Sequence, residues 1–187
     1  CIGCNACHKV CQANYPAKAV SPIKWYQGWI DNPEIRKECS SGGAATAISR
    51  GFIDNGGIVC GCTFKDGKFI FEFAETKDEL KKFIGSKYVK SNPIGIYKEI
   101  KDRLKREEKV LFIGLPCQVA ALRNYIGVDL SEKLYTIDLI CHGTPSPKLL
   151  DIFLQQYDLS LSKLKDIKFR AKAKFQIYGD YKGIVTK

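Results

Sequence analysis

Four cysteines stand within the first eleven residues of the chain, in the run CIGCNACHKVC. Cys1, Cys4, Cys7 and Cys11 have the spacing Cys-x2-Cys-x2-Cys-x3-Cys. This is the spacing of bacterial ferredoxins, in which closely spaced thiolates hold an iron–sulfur cluster. A zinc site is the alternative, but zinc is usually held by two separated pairs of ligands. The run therefore predicts a [4Fe-4S] site.

The four thiolates can be divided in two ways. In two-cluster ferredoxins the fourth cysteine of such a run binds the other cluster, and residues 12–38 contain no second run. We therefore expect Cys1, Cys4 and Cys7 to share one cluster and Cys11 to join a cluster whose other ligands precede the chain. If the protein begins at Cys1, all four bind one cluster.

We expect the chain to be a fragment cut at both ends. It starts on a ligand-type cysteine, lacks methionine and ends in YGDYKGIVTK, which has the pattern of a hairpin's second strand.

Composition restricts the class of protein. The chain has 187 residues, of which 45% are hydrophobic and 27% charged, so it can bury a core. It has neither an apolar stretch long enough to span a membrane nor a signal-peptide pattern, and we expect a cytoplasmic protein. Nine unevenly spaced cysteines argue against a disulfide framework. The net charge of +10 comes mostly from lysines, which we interpret as solvent-exposed side chains on helices and strands. The sequence lacks the aromatic–basic motif of RNA-binding sheets, which argues against nucleic-acid binding.

Strand and helix patterns alternate from Cys39 onward. Helices are predicted after SSGG and over TKDELKKFI, PIGIYKEIKDRLKREE, PCQVAALRNYI and SPKLLDIFLQQY, and strands over IVCGCTF, KFIFEFAE, KVLFIG and KLYTIDLIC. Lys65-Asp66-Gly67 between the first two strands indicates a hairpin. The alternation predicts an α/β fold with a largely parallel or mixed sheet. We divide the chain into a small ferredoxin-like segment at 1–20, a connector at 21–38, and an α/β domain at 39–187. In the connector, Trp25, Tyr26 and Trp29 are expected to be aromatic anchors.

Three motifs of the α/β domain are candidates for binding. Ser40-Ser41-Gly42-Gly43 precedes a helix, where hydroxyl and free amide groups can bind phosphate or a flavin pyrophosphate, although a plain helix cap is the more frequent use of such residues. GLPCQ and CHG each follow a predicted parallel strand. Ligands bind at the carboxyl edge of such sheets, so we expect Cys117 and Cys141 to converge there as ligands or redox thiols, with unreactive buried cysteines as the alternative. Cys60 and Cys62 are predicted to be core residues of a strand.

Five stretches together resemble the coenzyme F420 hydrogenase/dehydrogenase beta-subunit family. They are CIGCNACHKVC, ECSSGGAATAIS, GSKYVKS, VLFIGLPCQVAAL and LYTIDLICHGTPSP, in the family's order. The resemblance implies an iron–sulfur flavoprotein oxidoreductase that passes electrons between [4Fe-4S] clusters and FAD. It also implies hydride exchange with an organic acceptor such as the deazaflavin coenzyme F420. Its implied partners are a ferredoxin or other hydrogenase or dehydrogenase subunits, together with the small-molecule acceptor.

The resemblance also implies roles for individual residues. Lys87 would oppose the flavin pyrophosphate or a negative charge on the reduced ring, and His142 would bind the flavin or transfer a proton. Cys117 and Cys141 would be two ligands of a cluster beside the flavin, whose other ligands follow residue 187. The implied metal ligands are thus Cys1, Cys4, Cys7, Cys11, Cys117 and Cys141. The implied cofactor contacts are Ser40, Ser41, Gly42, Gly43, Ser86, Lys87, Tyr88, Pro116 and Gln118.

Two other functions are compatible with the cysteine run. An electron-transfer or docking protein would carry clusters without flavin or substrate chemistry of its own. A zinc-stabilised interaction module would be colourless and would hold zinc. Flavin and metal content separate the three.

Overall fold

A computed structural model describes residues 4–171, 174–179 and 184–185, with side chains described up to Arg170. Cys1 and its predicted role as a ligand lie outside the described residues. The helices are α1 (Ala6–Val10), α2 (Pro33–Glu38), α3 (Ala44–Asp54), α4 (Ile96–Lys105), α5 (Pro116–Ile126) and α6 (Pro147–Gln155), with 3-10 helices at Glu79–Phe83 and Leu161–Lys163. The strands are β1 (Ile58–Lys65), β2 (Lys68–Ala74), β3 (Val110–Gly114), β4 (Leu134–Asp138), β5 (Ile167–Ala171), β6 (Lys174–Gly179) and β7 (Ile184–Val185).

The central sheet has four strands in the order β2-β1-β3-β4. β1 and β2 are antiparallel, whereas β1, β3 and β4 run parallel. The predicted hairpin between β1 and β2 is confirmed, because Asp66 and Gly67 both have positive φ, of 50° and 72°, as a two-residue hairpin turn requires. The sheet is thus mixed, and the predicted α/β class is confirmed.

A second sheet of three antiparallel strands has the order β5-β6-β7. The expected strand at the end of the chain corresponds to β7, which pairs with β6. The turn between them, residues 180–183, lies outside the described residues. The sequence patterns did not lead us to expect β5, although its residues alternate between apolar and basic side chains.

Both faces of the central sheet are covered. On one face, α4 and α5 pack on β1 and β3, with Phe112 fully buried and stacked on Phe71 at 5.1 Å between ring centroids. On the other face, α3 and the 3-10 helix Glu79–Phe83 cover Val59 and Leu111. A third apolar cluster joins the β1–β2 hairpin to α6 and β5. Each fully buried large side chain contributes about 1.5 to 3 kcal/mol, so the sheet is the rigid part that carries the loops.

The connector differs from its prediction. Trp25, Tyr26 and Trp29, expected to be anchors, are 87%, 85% and 59% exposed, so that prediction is wrong. Ile30 is the buried residue of this segment, and its N–H donates to the carbonyl of Gly42 at 2.8 Å. The anchoring contact is therefore a main-chain bond and one aliphatic side chain.

The connector also contains a helix that was not predicted. Asn32 caps α2, because its Oδ1 accepts hydrogen bonds from the backbone N–H groups of Glu34 and Ile35, both at 3.0 Å. Pro33 occupies the first helical position, where its fixed φ suits a helix and its missing N–H is not needed. Among the described helices, none combines the length and the apolar character that crossing a membrane requires.

Candidate functional site

The turn before α3 brings its glycines against the connector. Gly43 has φ of 77° and forms the N-cap of α3 without a side-chain capping bond. A Cβ at this position would lie 2.9 Å from Cγ2 of Ile30 and 3.1 Å from Sγ of Cys39. Glycine is therefore needed here both for the left-handed backbone and for close packing. No serine side chain caps the N-terminus of α3 by a hydrogen bond, although a serine cap was expected.

Ser40 connects this turn to a distant segment. The backbone N–H of Ser86 donates to Oγ of Ser40 at 2.7 Å, across 46 residues of sequence. The structure thus joins the two segments for which flavin contacts were predicted. Ser41, Ser86 and Tyr88 are exposed beside this junction. Whether they contact a cofactor stays a prediction.

The Lys87 side chain is bound by the main chain. Its Nζ donates to the carbonyls of Lys82, Phe83 and Ile84 at 3.4, 3.0 and 3.2 Å, at the C-terminal end of the 3-10 helix Glu79–Phe83. Burial lowers the pKa of Lys87 to about 8, against the opposing effects of Cys62 and Asp166. The ammonium therefore fastens the segment that carries Ser86. Its predicted contact with a pyrophosphate stays a prediction.

A cavity of about 380 Å³ lies next to the Ser40–Ser86 junction. This volume is within the range of small-molecule sites, about 300 to 1,000 Å³. Basic and acidic side chains on its wall are Glu38, Lys81, Lys82, Lys87, Asp166, Lys168 and Arg170. Because cations outnumber anions, a ligand that carries phosphate groups fits this wall. The lining is thus compatible with the phosphate-bearing part of FAD.

The sequence patterns did not point to the far wall of this cavity, which includes Asp166 and Lys168. These residues lie at and just before β5, whose Ile167 and Phe169 are buried while Lys168 is exposed. The alternation of apolar and basic residues was the available signal, because alternate side chains of a strand point to opposite faces.

Cys117 and Cys141 follow two adjacent parallel strands. Gly114 and Asp138 are paired in register at the ends of β3 and β4, and the N–H of Leu139 donates to the carbonyl of Gly114 at 2.9 Å. Cys117 is exposed in the first turn of α5. Cys141 is partly exposed, and its Sγ accepts from the N–H of Gly143 at 3.3 Å. Both are free thiols at the same edge of the sheet.

The neighbours of these thiols differ in accessibility. Gln118 is buried; its Nε2 donates to Oγ of Ser91 at 3.0 Å and its Oε1 accepts from the N–H of Leu115 at 3.0 Å. The Gln118 side chain thus caps the first turn of α5 and links this helix to the segment after Tyr88 by a hydrogen bond. Pro116 and His142 are exposed at the sheet edge. Cofactor contacts by all three stay predictions.

The described part of the cysteine run forms a short loop around α1. Cys4 and Cys7 are exposed and Cys11 is partly exposed, all as free thiols. Asn5 between them has φ of 55°, which turns the chain sharply. Thiolates are the ligands that iron–sulfur clusters use, and three thiols are accessible on this loop. Within the described ranges, no group of three His, Cys, Asp or Glu side chains is arranged as a metal site.

The remaining cysteines of the central sheet lie in β1. Cys60 is fully buried in the core, as predicted. Burial raises the pKa of both Cys60 and Cys62, and Lys87 partly opposes this effect at Cys62. These thiols therefore remain protonated near neutral pH.

The fold and the site define a mixed-sheet α/β protein with accessible thiols at one sheet edge and on the preceding loop. Two family models match the chain, and both describe the beta subunit of coenzyme F420 hydrogenase/dehydrogenase. The model of its N-terminal part matches residues 25–95, and the model of its C-terminal part matches residues 107–186. The chain belongs to the coenzyme F420 hydrogenase/dehydrogenase beta-subunit family. The resemblance seen in the sequence motifs is confirmed.

The fold is similar to that of a solved protein. A chain of the xenon-derivatised F420-reducing [NiFe] hydrogenase complex from Methanosarcina barkeri matches with a TM-score of 0.61 and 24% sequence identity. The match covers 83% of the present chain and 57% of that chain. At this identity the likeness establishes the fold. Comparison with curated protein sequences gives no match.

Proposed function

We propose that the chain is part of an iron–sulfur flavoprotein oxidoreductase. In this proposal it passes electrons between [4Fe-4S] clusters and FAD, and it exchanges hydride with an organic acceptor such as coenzyme F420. Membership of the beta-subunit family supports the redox class. The observation that carries the proposal is the hydrogen bond between Ser86 and Ser40, because it joins two motif segments beside a cavity with a mainly basic wall.

The chain's own residues would bind and orient the flavin. Bound FAD would convert between the transfer of single electrons and the transfer of a hydride, which carries two electrons. Lys168 on the cavity wall would place positive charge against the pyrophosphate, whereas the Lys82 ammonium is already bound by the carbonyl of Phe73 and the carboxylate of Glu72. Gly85, with φ of 91° and open space where a Cβ would stand, would let the backbone approach the ligand. Lys87 would hold this segment in place through its three carbonyl contacts.

Thiolates at two places would hold clusters. On the loop, Cys4 and Cys7 would share a cluster with Cys1, which lies outside the described residues, and Cys11 would bind a neighbouring cluster. At the sheet edge, next to His142, Cys117 and Cys141 would supply two ligands of a further cluster. We retain the division into a ferredoxin-like segment at 1–20, a connector at 21–38 and a flavin domain at 39–187 as part of the proposal.

Other redox subunits are the proposed partners. The solved relative belongs to a hydrogenase complex, which supports another subunit of such a complex as the redox partner. A ferredoxin is the alternative partner. The exposed side chains of Trp25 and Tyr26 in the connector are compatible with a protein contact.

Metal and flavin content test the proposal. The whole chain is purified without oxygen, reconstituted with iron, sulfide and FAD, and analysed for iron, sulfide, zinc and flavin. We expect both iron and flavin to be retained, and Cys4→Ser to lower iron but not flavin. Iron without flavin would favour the electron-transfer protein, and zinc without iron would favour the interaction module. Either result would overturn the flavoprotein.

A further inference from the structure

The loop that carries the cysteine run is held on helix α5 by one side chain. Nδ2 of Asn124 donates to the carbonyl of Val10 at 3.3 Å and to the carbonyl of Tyr15 at 3.0 Å. α1 packs against α5 at this place. The two carbonyls lie on either side of Cys11 in sequence, so the amide of Asn124 fixes the loop directly around that thiol.

The clamped segment is also ordered internally. The N–H groups of Asn14 and Tyr15 both donate to the carbonyl of Cys11, at 3.1 and 2.9 Å. Nδ2 of Asn14 donates to the carbonyl of His8 at 3.3 Å. The turn after Cys11 is therefore a compact unit that the Asn124 amide can hold as a whole against α5.

Helix α5 carries the second candidate site at its other end. Cys117 and Asn124 are seven residues apart in the same helix, which corresponds to about 10 Å along the axis. Seven residues are also close to two full turns, so both side chains point to nearly the same side of the helix. Both residues are exposed. The loop is thus docked on the side of α5 from which Cys117 projects.

We infer that Asn124 is a positioning residue that sets the separation between the two thiolate sites. The rigid helix fixes the distance from Asn124 to Cys117, and the two amide hydrogen bonds fix the loop at Asn124. The rate of electron transfer between redox centres depends steeply on their separation. A fixed distance between the two thiolate sites would therefore keep this rate constant. This inference rests on the proposed function for its purpose, but the docking itself can be measured without metal.

The first experiment measures loop docking in the metal-free chain. Asn124→Ala removes both donors while favouring the helix, and we expect amide hydrogen exchange over residues 10–15 to become on the order of tenfold faster. Asn124→Gln keeps an amide and should restore part of the protection. Arg123→Ala is the matched control, because Arg123 bonds to Thr136 instead of the loop. Unchanged exchange in Asn124→Ala would overturn the inference.

The second experiment measures the separation itself. Nitroxide labels on Cys7 and Cys117 report the distance by dipolar broadening, after Cys1 and the other accessible thiols, Cys4, Cys11, Cys39 and Cys141, have been changed to serine. We expect a narrow distribution in the parent, a broad one with Asn124→Ala, and partial narrowing with Asn124→Gln. An equally narrow distribution in all three would contradict the positioning role. Iron analysis of the reconstituted chain is run in parallel, and a lack of iron would refute the proposed function without altering the distance result.

Discussion

Lys87→Met tests the assignment of this lysine as a buried main-chain clamp. The substitution keeps the aliphatic part of the side chain and removes the ammonium group from the carbonyls of Lys82, Phe83 and Ile84. Loss of these three hydrogen bonds destabilises the fold, whereas removal of a partly desolvated charge offsets part of the loss. We expect a net decrease in the free energy of unfolding of about 1 to 2 kcal/mol near neutral pH.

The pH dependence gives a sharper test. The pKa of Lys87 falls from its ordinary 10.5 to about 8 in the folded protein. Below pH 8 Lys87 is protonated in both the folded and the unfolded chain. Between pH values of about 8 and 10.5 it keeps its proton in the unfolded chain but loses it in the folded one. Stability must therefore rise with pH across this window. The lowered pKa of Lys87 should increase the free energy of unfolding by about 1 kcal/mol between pH 7 and pH 9.

Urea unfolding of the parent and of Lys87→Met, with reductant present at both pH values, measures this increment. Because Lys87 lowers the pKa of Cys62, Cys62 is changed to alanine in both proteins, so that the difference between their unfolding free energies isolates Lys87. That difference should be larger at pH 9 than at pH 7 by about 1 kcal/mol. A difference that is the same at both pH values would refute a depressed pKa, and with it the burial of the charged group.

Two further substitutions probe the site. Ser40→Ala removes the acceptor of the Ser86 N–H, and we expect flavin affinity to fall about tenfold, as for loss of one strong hydrogen bond; equal loss in the control Ser131→Ala, whose hydroxyl bonds to the carbonyl of Val128 instead, measured by fluorescence titration, would contradict this. Gln118→Met leaves the hydroxyl of Ser91 and the N–H of Leu115 without their partner and should lower stability by about 2 kcal/mol; an unchanged urea midpoint would show that these bonds contribute nothing.

Much of the fold was predictable because local chemistry and tertiary packing agree. Pro116 starts α5 after a buried strand, and Asp66-Gly67 supplies the positive φ values of a tight hairpin. The short apolar run at β3 is typical of a buried strand, and its alternation with helices favours a parallel arrangement. Such signals lie within a few residues of one another and need no knowledge of distant contacts.

Other features depend on contacts that a local pattern does not contain. TKDELKKFI has helical periodicity but forms a 3-10 helix of only five residues. Gly85 follows it, and the Lys87 side chain binds the carbonyls at its end. The burial of Ile30 instead of Trp25 is set by the turn at Gly43.

The site was predictable in its parts and not in its assembly. The resemblance named Ser40 and Ser86 separately, but only the fold shows that one bonds to the other. The two main-chain contacts of Asn124 had no sequence signal, because an asparagine in a helix is most often a solvated surface residue. The Asn32-Pro33 pair, by contrast, was a readable helix start within the connector.

Transfer of reducing equivalents through the flavin is the central claim. It can be measured by mixing the anaerobically reconstituted chain, with its iron and FAD content known, with reduced coenzyme F420 and following the flavin absorbance. We predict rapid bleaching of the flavin, followed by reduction of the iron–sulfur signal, with the amplitude of the second phase lowered in Cys4→Ser. A flavin that stays oxidised although iron and FAD are both bound would contradict the account.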